Sequence, residues 1–135
     1  MPTVLEKTQK LVAFRKFAAA IKAADLEEEL RSNQPITLFV PTDDAFDQIP
    51  QWAMERILEP ESKGQLVETL RYHLVKGRIH TEDVLEMTRV ETMQGQAIKV
   101  DFQDGLRVDG AKILKGDIVC DNGIIHVIDR VIPPQ

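Results

Sequence analysis

Apolar positions follow two different periods along this 135-residue chain. In the first half they recur at helical spacing. Within FRKFAAAIKAADLEEELR, Phe14, Phe17, Ile21 and Leu26 fall close to one stripe with lysines between them, which predicts an amphipathic helix. TVLEKTQKL, with Thr3 as its cap, predicts a shorter helical turn before it. Asn33-Gln34-Pro35 breaks the pattern, and ITLFV, stopped by Pro41, predicts a strand over residues 36–40. Thr42 then offers a hydroxyl cap, and Asp43 and Asp44 sit where a helix N-terminus favours negative charge. Ala45, Phe46 and Ile49 form the buried side of that short helix. QWAMERIL adds a turn or two of helix ended by Glu59-Pro60. From Ser62 onward, Leu66, Leu70, His73 and Leu74 share one helical face, predicting a helix that runs to Lys76-Gly77. Thr81 is the expected cap of a last short helix, TEDVLEM.

From Arg89 the period changes to two. Ile98, Val100 and Phe102 point one way and Lys99 and Asp101 the other. Asp104-Gly105, Asp109-Gly110, Lys115-Gly116 and Asn122-Gly123 punctuate the alternation at hairpin spacing. The closing stretch GIIHVIDRVIPPQ is too apolar and too β-branched for a frayed tail, so it reads as a final strand with His126 inside it. Helices first and a meander of strands last is the α+β pattern, and no repeat or linker divides residues 1–135. Phe14, Phe17, Ile21, Phe39, Phe46, Leu66, Leu70, Ile98, Val100, Ile118, Ile125 and Val127 are the expected core.

Composition narrows the function classes. A net charge of −5 with no basic run argues against a nucleic-acid footprint and against docking on anionic lipid by charge. The lone Cys120 excludes an intrachain disulfide and a cysteine-built zinc site. No window is long and apolar enough for a membrane helix. Glu6, Lys7 and Lys10 interrupt the N-terminus where a signal peptide needs an unbroken apolar segment. This chain is therefore expected to carry no export signal, which leaves a cytoplasmic location open.

Three segments, in this order, carry a resemblance. TLFVPTDDAF (37–46), YHLVKGRI (72–79) and GDIVCDNGIIHVIDRVIPP (116–134) resemble the signature segments of the fasciclin domain, and METMQGQAIKV resembles its hairpin before a long strand. Cys120-Asp121 departs from the small residue and threonine more usual there. The resemblance covers essentially the whole chain and is to a single-domain, bacterial-type member. It implies a wedge of helices packed on a mostly antiparallel, twisted β-sheet or sandwich. It also implies a monomeric, non-enzymatic module for adhesion or protein interaction, extracellular or in the cell envelope. Thr42, His73, Asn122, Gly123, His126 and Asp129 match its structural motif positions.

The chemistry-bearing residues read mostly as architecture. A histidine among isoleucines needs a hydrogen-bond partner, which a backbone carbonyl supplies, so His126 and His73 are expected to be structural. The resemblance gives Tyr72 and His73 another role, because some animal fasciclin domains engage integrins through that segment. His73, His80 and His126 lack the spacing of a helical zinc pair, and Asp43, Asp44 and Asp47 lack the glycine and alternating ligands of a calcium loop. No cofactor is expected. Cys120 and the few serines lack the context of an activated nucleophile. Candidate interaction surfaces are residues 43–51 with Asp43, Asp44 and Asp47, the bend at 76–80 with Lys76 and Arg78, and the Asp104-Gly105 hairpin. At the first and third of these the acidic balance favours a cationic or polar partner, held less tightly as salt rises. The alternative is a small apolar ligand, a carotenoid or lipid, as in some algal fasciclin proteins, with Trp52, Met54, Met87 and Met93 as a soft lining.

Overall fold

The computed structural model describes residues 3, 4, 6, 7, 14–30, 35–57, 59–101 and 105–132. Asn33, Gln34, Phe102 and Asp104 lie outside them, so the predicted chain break, the end of the alternation and the hairpin at 104 are not described. Helices α1 (Arg15–Ala23) and α2 (Glu27–Leu30) lead into strand β1 (Ile36–Pro41). Then come α3 (Asp43–Asp47), α4 (Gln51–Ile57), a 3₁₀ turn (Pro60–Ser62) and α5 (Lys63–Arg71). Strand β2 (Leu74–Lys76) and helix α6 (Thr81–Leu85) precede β3 (Arg89–Glu91), β4 (Ala97–Asp101), β5 (Arg107–Val108), β6 (Ala111–Cys120) and β7 (Gly123–Ile128). The fold is α+β, with one seven-stranded sheet in the order β2-β1-β7-β6-β5-β4-β3.

Its pairs are antiparallel except for β1 with β7, which run parallel with Phe39 opposite His126. These two strands are buried at every position, which is why ITLFV and GIIHVI read as unbroken apolar runs rather than alternations. Leu38, Val40, Ile125 and Val127 face the helices and pack with Phe17, Ile21, Phe46, Leu66 and Leu70 in one core. Phe39 and Ile128 face the other way, into a second core with Val90, Ile98, Val100 and Val108 of β3, β4 and β5. The sheet thus folds back over itself, and its two free edges meet where the Met93 N–H donates to the Leu74 carbonyl at 2.8 Å. Of the expected core, Ile118 alone is only half-buried, since the strand carrying it alternates between intermediate and exposed positions along its middle.

Local chemistry explains where the pattern and the structure part. The stripe from Phe14 to Leu26 is not one helix. Asp25 takes φ +57, and the Asp25 and Leu26 N–H groups bond back to the Lys22 and Ile21 carbonyls at 3.1 Å each, closing α1 in a left-handed cap. The helix predicted to reach Lys76-Gly77 stops at Arg71, and Leu74–Lys76 instead pairs with β1. Thr42 caps α3 as expected, accepting from the Ala45 N–H at 3.2 Å. At α6 the cap is His80 rather than Thr81, with its N–H held by the Asp83 carboxylate at 3.0 Å. Asp109 and Gly110, at φ +50 and +84, form the predicted tight hairpin. Lys115-Gly116 is no turn. It lies inside β6, where the register against β7 shifts between Ile113 and Lys115 and again before Ile118.

Candidate functional site

The turn after α5 places His73 between the helices and the segment that follows β7. Its Nδ1 lies 2.7 Å from the Thr69 carbonyl, and its Nε2 accepts the Ile132 N–H at 3.1 Å. Only one neutral tautomer satisfies both: the proton is on Nδ1. The ring is 1% exposed, and Phe17 meets it edge-on at 6.3 Å. Burial pushes its pKa down to about 4, against the opposing pull of the Thr69 carbonyl.

His126 carries the opposite tautomer. Its Nδ1 accepts the Asp117 N–H at 3.1 Å, and its Nε2 donates to the Ile79 carbonyl at 2.6 Å. Burial lowers its pKa, with the Ile79 carbonyl and Asp117 acting the other way. The bulge makes this possible. A Cβ at Gly116 would stand 2.3 Å from the Thr81 methyl and 3.1 Å from His126 Nδ1. Asp117, at φ +57, directs its carboxylate to Thr81, accepting the backbone N–H at 2.8 Å and the hydroxyl at 2.6 Å. The Thr81 hydroxyl bond leads the causes that lower the Asp117 pKa, and His80 Nδ1 lies 3.5 Å from the same carboxylate.

The remaining motif residues are joints as well. The Asn122 side chain accepts the Val4 N–H at 2.9 Å and donates to the Leu30 carbonyl at 2.8 Å, tying the first turn and α2 to the β6–β7 turn. Asp129 accepts the Lys112 N–H at 2.8 Å. The Thr37 hydroxyl donates to the Gly77 carbonyl at 2.6 Å and accepts the Ile79 N–H at 2.9 Å. The Tyr72 hydroxyl donates to the Asp109 carboxylate and lies 3.2 Å from the Ala97 carbonyl, and burial first, then Asp109, raises its pKa.

Two candidate surfaces change accordingly. Tyr72 and His73 are buried, so neither presents its side chain to a partner. Asp43 accepts the Lys16 N–H at 2.9 Å and so serves the first turn of α1, while Asp47 pairs with the Lys16 ammonium. Asp44, Asp47, Lys76 and Arg78 are all exposed. Arg78 donates to the Asp121 carbonyl at 2.6 Å and to that of Cys120 at 3.3 Å. No hydrogen bond or ion pair among the described residues joins the acidic group to Lys76 or Arg78.

Each histidine nitrogen in these joints already has a backbone partner, so neither His73 nor His126 is free to move a proton. Cys120 is buried, which raises its thiol pKa, with Lys7 and Arg78 opposing. Among the described residues no cluster of three His, Cys, Asp or Glu could hold a metal ion, and no helix is long and apolar enough to cross a membrane.

The sequence did not reveal an open apolar cleft of about 370 Å³ between α1, α3, α4 and α5. Phe17, Phe46, Ile49, Met54 and Leu70 contribute to its walls, with Arg130 and Val131 from the segment after β7. Of the four residues expected to line a pocket, Met54 lines this cleft, whereas Met87 and Met93 line a separate opening. Trp52 is 65% exposed beneath the Arg56 guanidinium, 5.7 Å from its ring. Met87 and Met93 lie between the two sheet edges. The available signal was Ala20, Ala45 and Ala53, small residues on apolar helix faces that leave volume unfilled.

Comparison with known proteins gives a consistent set of relatives. The Fasciclin domain profile matches residues 12–134. Protein sll1483 of Synechocystis sp. is 40% identical over 133 residues, covering 98% of this chain and 73% of that protein. Uncharacterized protein sll1735 of the same organism is 36% identical, with 98% of each chain covered. Human periostin is 34% identical over 97% of this chain, a span that is 15% of periostin. A solved domain pair from the insect cell adhesion molecule fasciclin I superposes with a TM-score of 0.86 at 20% identity, over 98% of this chain and 51% of that one. At that identity the likeness is one of fold.

Proposed function

The chain belongs to the fasciclin-domain family, and we propose that it works as a non-enzymatic adhesion module, one domain over 1–135, that binds a protein or cell-surface partner. The match of the Fasciclin domain profile over residues 12–134 carries this reading, and the fold shared with a domain pair of an insect cell adhesion molecule accords with it. The motif supports it, because its histidines, Tyr72 and Asn122 are committed to backbone and neighbouring groups rather than arranged around a reacting centre. A cell-envelope or extracellular location follows from the same reading. Of the candidate charges, Asp44, Asp47, Lys76 and Arg78 are exposed, with Asp47 also pairing with Lys16 and Arg78 also holding the Asp121 carbonyl. Beads coated with the domain are expected to stay on cells of its own host, with retention falling as salt rises. Asp44→Lys is expected to weaken retention while circular dichroism stays unchanged. Retention no greater than that of beads bearing an unrelated protein of the same net charge, −5, would remove the adhesion reading.

The cleft favours a second reading, a small apolar ligand such as a carotenoid or lipid. Its volume, about 370 Å³, lies at the lower end of the range typical of ligand pockets, roughly 300–1,000 Å³.

A further inference from the structure

We infer that the helical cleft takes a single-chain amphiphile with a carboxylate head, and that Arg130 binds the head; this rests on the apolar-ligand reading. Among the described residues that line the cleft, Arg130 is the only charged one. It is exposed and makes no hydrogen bond or ion pair with the described residues, whereas Arg71 holds Glu29 and Arg78 and Arg107 hold backbone carbonyls. A free guanidinium on an otherwise acidic protein, beside apolar walls, presents a planar fork suited to a carboxylate.

The other lining residues select an alkyl tail behind that head. The Thr69 hydroxyl donates to the Gln65 carbonyl at 2.8 Å, the Gln48 amide donates to the Asp129 carbonyl at 3.1 Å, and both His73 nitrogens are engaged. Beyond Arg130 and the second N–H of the Gln48 amide at its rim, the cleft offers no unengaged donor, so a peptide laid along its apolar walls would bury backbone carbonyls without partners. An alkyl chain needs no donor. The volume suits one chain rather than the paired chains of a membrane lipid.

The test uses displacement of N-phenyl-naphthylamine, a neutral dye whose fluorescence rises in apolar sites. Wild-type protein is expected to bind the dye, and dodecanoate to displace it at about fivefold lower concentration than dodecanol, the value of an exposed charge pair near 1 kcal/mol. Arg130→Gln is expected to erase that preference without losing dye binding. Ala53→Phe, which fills the cleft, is expected to lose dye binding, with circular dichroism confirming that it folds. Equal displacement by acid and alcohol, or a preference that survives in Arg130→Gln, would overturn the carboxylate inference and leave the cleft standing as an apolar site. No dye binding by wild type, or dye binding unaffected by Ala53→Phe, would overturn the cleft reading and the inference with it.

Discussion

Replacing Gly123 with alanine is expected to cost most of the stability of the fold. A Cβ there would sit 1.8 Å from the Ile36 carbonyl oxygen and 2.9 Å from its carbon. Both are backbone atoms of the parallel β1–β7 pair, so no side-chain rotation relieves the clash. The strands must separate, which disrupts the Ile36 N–H bond to the Asn122 carbonyl at 3.0 Å and the packing of both cores. A loss of about 4 kcal/mol or more is expected, comparable with the total stability of many domains. Chemical denaturation monitored by circular dichroism measures it. Gly64→Ala is the matched control, because α5 leaves nothing within 4 Å of the new methyl, and it is expected to be neutral or to gain about 0.5–1 kcal/mol. A Gly123→Ala midpoint close to wild type would show that the strands are not held this closely.

Acid is the second large effect. The His73 pKa falls from 6.5 to about 4 on folding, so its native form is the neutral ring. For a depressed pKa of this kind, its contribution to stability is complete above 6.5 and is lost as pH falls through that value towards 4. The gap amounts to about 3 kcal/mol at the acid end. His126 and Asp117 are also depressed, so both shift stability in the same direction. The unfolding free energy is therefore expected to be flat near neutrality and to fall steeply between pH 6.5 and 4. His73→Ala is expected to lower the neutral plateau, because the Ile132 N–H and Thr69 carbonyl lose their partner, and to flatten the acid limb. An acid limb as steep in that variant as in wild type would assign the pH dependence to other groups.

The sequence expressed the centre of the fold more clearly than its joints. ITLFV and IIHVI announced buried strands because both faces are covered, and the Thr42 hydroxyl and Asp109-Gly110 turn acted through local chemistry that short windows reveal. The end of α5 was not readable: Leu70 and Leu74 satisfy a helical stripe equally well when Leu74 begins a three-residue strand. Gly116 looked like a turn because its reason, room for Thr81 and His126, comes from residues distant in sequence. That His73 and His126 would be buried with polar partners was legible, since histidines on apolar faces need them, but which partners was not. Tyr72 was a candidate contact through the family resemblance alone, and its hydroxyl meets Asp109 inside the fold. The cleft escaped notice because unfilled volume beside alanines appears only when several helices converge.

The central claim is that the histidine motif holds the fold rather than performing chemistry, and the protonation of the two rings tests it most directly. Long-range ¹⁵N–¹H correlation spectra of the imidazoles distinguish the tautomers. A structural role predicts a single Nδ1–H form for His73, neutral at pH 6, and a single Nε2–H form for His126 above its lowered pKa, both unchanged when the domain is bound to its partner or to dodecanoate. Rings that exchange tautomers, titrate near 6.5 or change protonation on binding would contradict it.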